Sequence, residues 1–223
     1  MENNNDYIRQ LVASGLSVIP VASGEKRPHG ILGSKHDLLV RLPKSDEVNT
    51  WINAGIESWG VAGGAVSDNL VTLDFDEKHH EGLYDMWYAR LSKDQKDIVD
   101  TCYKNSTRNN GTHLRYRTQT PQLTMKIARR TEYSTKTGKE EIVVTAEIRS
   151  EGAYALIPPS PGYASTNGSL LNLPLVSDEV HEEFIDILRT FNEIEDEPAT
   201  EYEEKRCKGC NKKYVKYTWD VPI

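Results

Sequence analysis

Residues 71–76 read Val71-Thr72-Leu73-Asp74-Phe75-Asp76. Strand alternation puts Asp74 and Asp76 on one face and Leu73 and Phe75 on the other. Two carboxylates that close repel, so a cation between them is the usual resolution, and hard oxygen ligands favour Mg²⁺ or Mn²⁺. A solvent-exposed strand end running into Glu77 fits the same pattern. A second stretch, 143–148, repeats the design: Val143, Thr145 and Glu147 share one face, with Val144, Ala146 and Ile148 on the other. An acid on so apolar a strand is costly to bury unless it is paired or bound to metal. The alternative is an edge strand with Glu147 facing water.

Between these acids lies Asn105-Ser106-Thr107-Arg108-Asn109-Asn110-Gly111-Thr112-His113. It reads as a polar turn whose residues tolerate positive φ and which leads straight into the strand 112–118. Backbone amides in such a turn can hold phosphate oxygens, and Arg108 and His113 add charge-assisted bonds. A histidine at a strand start also serves purely structural ends.

Further out, Asp6 caps a helix carrying Ile8, Leu11 and Val12, and Gly15 stops it. A strand follows at 16–21. A helix from Ser45 or Asp46 presents Val48, Trp51 and Ile52 and ends at Gly55. Strands at 59–62 and 69–75 are expected to pair around the Gly63-Gly64 turn. Helices at 77–91 and 93–99 precede a β-rich middle with strands at 112–118, 123–127, 142–148 and 154–157. Val180, Phe184, Ile187, Leu188 and Phe191 then recur at helical spacing, marking an amphipathic helix that packs on this sheet with an acidic outer face.

The chain has 223 residues, which suits one main domain plus an appendage. No apolar run approaches the roughly 18 residues of a membrane helix. The start, Met-Glu-Asn-Asn-Asn-Asp, carries no basic and apolar leader, so export is not expected. Three cysteines, Cys102 alone and Cys207 close to Cys210, do not make a disulfide framework, which points to a reducing, cytoplasmic setting.

The net charge of −7 is distributed in blocks. Residues 101–139 hold nine Lys and Arg against the single acid Glu132, a local charge of +8. Residues 178–204 hold twelve acids against Arg189, a local charge of −11. Residues 193–204 have no apolar periodicity and read as an acidic linker after a globular domain 1–192. The tail 205–223 is basic again.

Taken in order, Lys26-Arg27-Pro28, Gly64-x-x-Ser67, Leu73-Asp74-Phe75-Asp76, the 107–113 turn and the run from Glu147 through Pro158-Pro159-Ser160 resemble the primase-polymerase (prim-pol) domain of the archaeo-eukaryotic primase superfamily, as found in plasmid and phage replication proteins. The resemblance spans about residues 15–163. It implies an α+β fold with an RRM-like catalytic sheet beside a smaller N-terminal α/β unit. It also implies a template-dependent DNA primase and DNA polymerase in which Asp74, Asp76 and Glu147 hold two divalent cations, Mg²⁺ or Mn²⁺. His113 would contact the incoming NTP or dNTP as a positive group, with Arg108, Asn109, Gly111 and Arg149 lining the nucleotide. Two departures stand out: the third acid is Glu147 where the family usually has Asp, and Asn110-Gly111 replaces the Gly-Gly that often precedes the histidine. Asn tolerates the left-handed conformation.

The single-stranded DNA template is expected on the basic hairpin carrying Lys126, Arg129, Arg130, Lys136 and Lys139, held by electrostatics and stacking. Cys207-Lys-Gly-Cys210 is half of a zinc knuckle, and its basic, aromatic flank suits single-stranded nucleic acid. Zn²⁺ there requires ligands from elsewhere, and the family often adds a helicase domain or subunit. Two rival readings use the same acids. The two-metal nuclease reading calls for a Lys two residues after Glu147, where this chain has Arg149, and a binding module without catalysis has no need of three retained acids.

Overall fold

The computed structural model describes residues 4–32 and 36–195, together with the backbone of 204–206 and 213–215. It divides into two units, 1–193 and 194–223. In the first, the elements run α1 (Asn4–Ala13), β1 (Val18–Val21), α2 (Ser45–Asn53), β2 (Ser58–Ala62), β3 (Leu70–Phe75), α3 (Leu83–Arg90), α4 (Lys93–Thr101) and β4 (Tyr103–Ser106). They continue as β5 (Thr112–Thr118), β6 (Met125–Ser134), β7 (Lys139–Arg149), β8 (Tyr154–Ile157), β9 (Ala164–Asn167), β10 (Leu175–Val176) and α5 (Asp178–Arg189). The second unit contributes an antiparallel pair, β11 (Glu204–Arg206) and β12 (Lys213–Val215). The expected Cys207-x-x-Cys210 element and most of the expected linker lie outside the described residues.

The first unit is α+β, built on two sheets. The smaller is antiparallel, in the order β1-β2-β8, and packs with α1 and α2 around Ile8, Leu11, Trp51, Trp59 and Ile157. Helix α1 stops as expected: Gly15 takes φ +87°, and the Leu16 and Gly15 amides bond back to the Leu11 and Val12 carbonyls, both at 3.0 Å. The larger sheet runs β6-β7-β3-β5-β4-β9, with β10 added in parallel to the far end of β5. One face of it, bearing Leu73, Phe75, Leu114, Ala146 and Ile148, is buried under α3, α4 and α5. Trp87 is the centre of that layer, fully buried, with its indole N–H donating to the Phe184 carbonyl at 3.0 Å and its ring against Phe75 and Phe184. Ser92 caps α4 with Gln95 in a reciprocal box, and Ser177 caps α5 through the Val180 amide.

Four sequence expectations change. Strands β2 and β3 do not pair; each joins a different sheet, and only a single bridge, Gly64 to Leu70, links their ends. The Gly63-Gly64 pair is instead the crossover between sheets, packed on the β7-to-β8 crossover. A Cβ on Gly63 would lie 2.6 Å from Ser150 Cα, and Gly64 has φ +79°. The helix expected from residue 77 begins at Leu83, because the Glu77 carboxylate folds forward to accept the Gly82 and Tyr84 amides at 2.6 and 3.2 Å. Residues 103–106 form the strand β4 rather than part of the turn, leaving the turn to 107–111. Strands β6 and β7 extend well past the expected 123–127 and 142–148, since the hairpin's outer half is polar on both faces and shows no alternation.

Truncating Trp87 to Ala removes the largest side chain of the back layer together with its indole bond to the Phe184 carbonyl. The expected loss is about 3–5 kcal/mol, read as a lowered urea midpoint with native secondary structure retained below it.

Candidate active site

Strand register carries the acids together. Asp74 pairs with Glu147 on one side and His113 on the other, and the row continues to Lys126 on β6 and Asn105 on β4. The adjacent row holds Arg149, Thr72, Arg115 and Tyr103. Because successive strand residues alternate, both rows lie on the face opposite Leu73, Phe75 and Leu114. The sheet is thus apolar behind and ionic in front.

Side chains lock the two rows into one network. Arg149 Nε donates to Asp74 Oδ2 at 2.9 Å, and Arg149 Nη2 donates to Glu147 Oε1. His113 Nε2 lies 3.3 Å from Asp74 Oδ1, and His113 Nδ1 accepts from Arg115 Nη2 at 3.0 Å. Arg115 is fully buried and also donates to Thr72 Oγ1 at 3.1 Å, to Asn105 Oδ1 and to the Leu156 carbonyl of β8 at 2.8 Å. A guanidinium only donates, so His113 Nδ1 must be the acceptor and Nε2 carries the proton.

The charges follow from this wiring. Burial raises the Asp74 carboxyl, but His113 and Arg149 outweigh it and hold Asp74 well below the usual carboxylate range. Glu147 is raised, because burial exceeds what Arg149 returns. Burial lowers His113 more than Asp74 raises it, and Arg115 lowers it further, so the imidazole is neutral at neutral pH. This corrects the expectation of a positive His113: it is a neutral N–H donor. Burial pushes Arg115 down to about 10, which leaves it charged.

Two cavities meet at Asp74. One, of about 240 Å³, is lined by Asp74, Asp76, Glu147, His79 and Thr145 among others. The other, of about 260 Å³, is lined by Lys26, His113, Arg149 and Tyr163 as well as Asp74. The first is acidic and the second cationic.

Not every expected residue arrives. Arg108 is exposed, donates to the Gly24 carbonyl at 2.7 Å and lines neither cavity. Asn109 is exposed and also lines neither. Gly111 is required by packing, since a Cβ there would lie 2.4 Å from the Phe75 carbonyl oxygen, and Asn110 takes φ +61° as the turn demands. Lys126 is exposed beside Glu147, and Lys136 and Lys139 are exposed on the outer hairpin. Arg129 and Arg130 are half-buried against the end of α5: the Arg129 amide donates to Asn192 Oδ1 at 2.9 Å and Arg130 Nε lies 3.8 Å from Glu193. Residues the sequence reading missed are Lys26, His79, Arg115, Thr145 and Tyr163. Arg115 was available by alternation, two residues after His113, and Lys26 sits in the quoted Lys26-Arg27-Pro28; nothing local marks Tyr163.

The chain belongs to the family of bifunctional DNA primase/polymerase N-terminal (Prim-Pol) domains, whose model matches residues 8–175. Membership implies DNA primase/polymerase activity of the nucleotidyltransferase type. No curated relative matches the sequence. Prim-Pol enzymes typically use divalent metals. Among the described residues no three His, Cys, Asp or Glu side chains stand together in a metal-holding group; Arg149 draws one oxygen each from Asp74 and Glu147. The donor set nevertheless fits a hard cation in kind, with three carboxylates on one cavity. Thr145 Oγ1, buried on the Glu147 face of β7, has no hydrogen-bond partner there. Among the described residues no helix is long and apolar enough to cross a membrane.

The lowered His113 has a stability consequence. A folded pKa below the ordinary 6.5 means the unfolded chain binds the proton first, so this contribution is complete above pH 6.5 and is lost as pH falls toward the folded value. Asp74 has the same sign at lower pH, and Glu147 the opposite sign, its contribution fading as pH rises through its raised pKa. His181, also lowered by burial, titrates in the same window as His113. The urea midpoint is therefore expected to fall between pH 7 and 5, with His113→Asn removing part of that slope and His181 supplying the rest.

Proposed function

We propose that residues 1–192 form the catalytic domain of a template-dependent DNA primase and DNA polymerase, acting by a two-metal nucleotidyl transfer in the replication of a plasmid, phage or other mobile replicon. The observation that carries this reading is the position of Asp74 between an acidic and a cationic cavity. A sheet antiparallel from β6 to β9, with helices on one face and acids on the other, supports the RRM-like, archaeo-eukaryotic primase type.

In this reading Asp74, Asp76 and Glu147 hold the divalent cations, which when bound activate the 3′-hydroxyl and neutralise the departing pyrophosphate. The 3′-hydroxyl loses its proton to solvent as its oxygen bonds to the α-phosphorus of the nucleotide, and the bond from that phosphorus to the α–β bridging oxygen breaks, releasing pyrophosphate. The triphosphate occupies the cationic cavity. Lys26 and Arg149 supply positive charge to its oxygens, and His113 Nε2–H, which faces Asp74 Oδ1 and is held in orientation by Arg115, is a neutral donor that a phosphate oxygen at the cationic cavity shares with that carboxylate. Arg149 stands where it can leave Asp74 and Glu147 for the phosphates, freeing both acids for metal. Arg108, Asn109 and Gly111 shape the turn behind His113.

The template lies along the front of the β6–β7 hairpin, which begins at Lys126 in the catalytic row and continues to Lys136 and Lys139. Cys207 and Cys210 are proposed to bind Zn²⁺ with ligands from another chain or domain, a helicase being a natural neighbour.

Incubating the protein with single-stranded template, labelled nucleotides and Mg²⁺ or Mn²⁺ tests the reading: new oligomers support it, a shortened template indicates a nuclease, and binding without product indicates an inactive module. Alanine at Asp74, Asp76 or Glu147 is expected to abolish synthesis with the fold intact by circular dichroism. Near wild-type extension by Glu147→Ala at saturating metal removes Glu147 from the site. Replacing Lys126, Lys136 and Lys139 together by Gln is expected to flatten the salt dependence of template binding by about two in log–log slope, at roughly 0.7 per phosphate on single strands.

A further inference from the structure

The two histidines beside Asp74 are wired in opposite senses. At His113 the neighbour of Nδ1 is a guanidinium, so Nδ1 accepts and the proton sits on Nε2. At His79 the neighbour of Nδ1 is a carboxylate, Glu132 Oε2 at 2.9 Å, which only accepts; Nδ1 carries the proton and the neutral ring keeps its lone pair on Nε2. His113 lines the cationic cavity and His79 the acidic one. A ring N–H suits an anion and a ring lone pair suits a cation, so each tautomer matches the charge of the cavity its histidine lines.

The chain around His79 is built to hold it in that wall. The His79 amide donates to the Asp76 carbonyl at 3.0 Å, a turn that ties the histidine to the second carboxylate of the cavity. Glu132 comes from the facing strand β6, opposite Glu141 of β7. A carboxylate that takes one ring proton fixes an imidazole's orientation and raises the basicity of its other nitrogen, the arrangement that supports metal-bound histidines. Thr145 Oγ1, buried in the same lining without a partner, is an independent sign that the cavity receives a polar occupant.

We infer that His79, through Nε2, is a further cation ligand of the acidic cavity beside Asp76 and Glu147, and that Glu132 is its positioning residue; this rests on reading that cavity as the divalent-cation site. A nitrogen donor strengthens the hold on first-row transition ions more than on Mg²⁺, which keeps to oxygen. The site should therefore prefer Mn²⁺, and more strongly Co²⁺, to Mg²⁺ by a wider margin than carboxylates alone impose.

The test is Mn²⁺ titration of the full chain, with bound ion counted by electron paramagnetic resonance and its nitrogen neighbours read by pulsed measurements. Wild type should show ¹⁴N coupling from a directly bound imidazole. His79→Ala should abolish the coupling and weaken Mn²⁺ binding by about tenfold or more, with Mg²⁺ competition changed far less, whereas His113→Asn should keep the coupling. Glu132→Gln retains the histidine and serves where His79→Ala proves unstable; it should weaken Mn²⁺ binding by about tenfold, the usual scale for an outer-shell partner. Coupling that survives His79→Ala, or its absence from a wild type whose Mn²⁺ binding is lost on Asp76→Asn, overturns the role of His79 and leaves the cation cavity standing. Mn²⁺ binding that is absent, or indifferent to Asp76→Asn, removes the cavity reading and this inference together.

Discussion

The Asp74 carboxylate, shared between Arg149 on one side and His113 on the other, is the interaction on which the site depends. Asp74, Arg149 and the fully buried Arg115 carry charge on one sheet face, where an unpaired charge costs several kcal/mol. Each is tolerated because the next one compensates it: Arg149 spans Asp74 and Glu147, His113 donates to Asp74, and Arg115 fixes which His113 nitrogen does so. Removing any link leaves a buried polar atom unsatisfied. The network is also asymmetric, with acids gathered on one flank of Asp74 and cations on the other. That asymmetry lets one face offer adjacent sites for a cation and an anion.

Arg115 extends the same constraint to the fold. Its guanidinium reaches from β5 to Thr72 on β3, Asn105 on β4 and the Leu156 carbonyl on β8, so the ionic face of the large sheet is stitched to the small sheet. The two crossovers between sheets run side by side at this seam. Gly63 lies against the backbone of Arg149 and Ser150, and Ser150 Oγ donates to the Leu70 carbonyl at 3.1 Å. The residue that pairs with both acids is thereby anchored at the point where the chain leaves the catalytic sheet. Behind it, Phe75, Trp87 and Phe184 form a rigid apolar backing for the strands that carry the acids.

Much of this was legible in the linear chain. Alternation over 71–76 and 143–148 correctly set Asp74 and Glu147 on the faces opposite Leu73 and Ile148, because a strand's period of two is a property of the backbone itself. The helices 45–53 and 178–189 were equally clear from their apolar spacing, the first also from its start at Ser45 and the stop at Gly55. The small turn before His113 could be recognised from Asn110 and Gly111, though its length was overestimated by the strand β4.

What residue order determined, then, was the periodicity, the acids and the apolar faces, since these are set by each residue and its near neighbours. Tertiary structure alone decided which strands are neighbours. It sent β2 and β3 to different sheets, although the chain between them is short, because the glycines at 63 and 64 let the backbone pass against residues far along the sequence. It brought Lys26, His79 and Tyr163 to the cavities beside Asp74 and turned Arg108 away to a loop carbonyl. It also decided the proton positions on His79 and His113. A histidine's tautomer is dictated by what its nitrogens face, and those partners, Glu132 and Arg115, are chosen by strand register and packing rather than by the identity of the histidine.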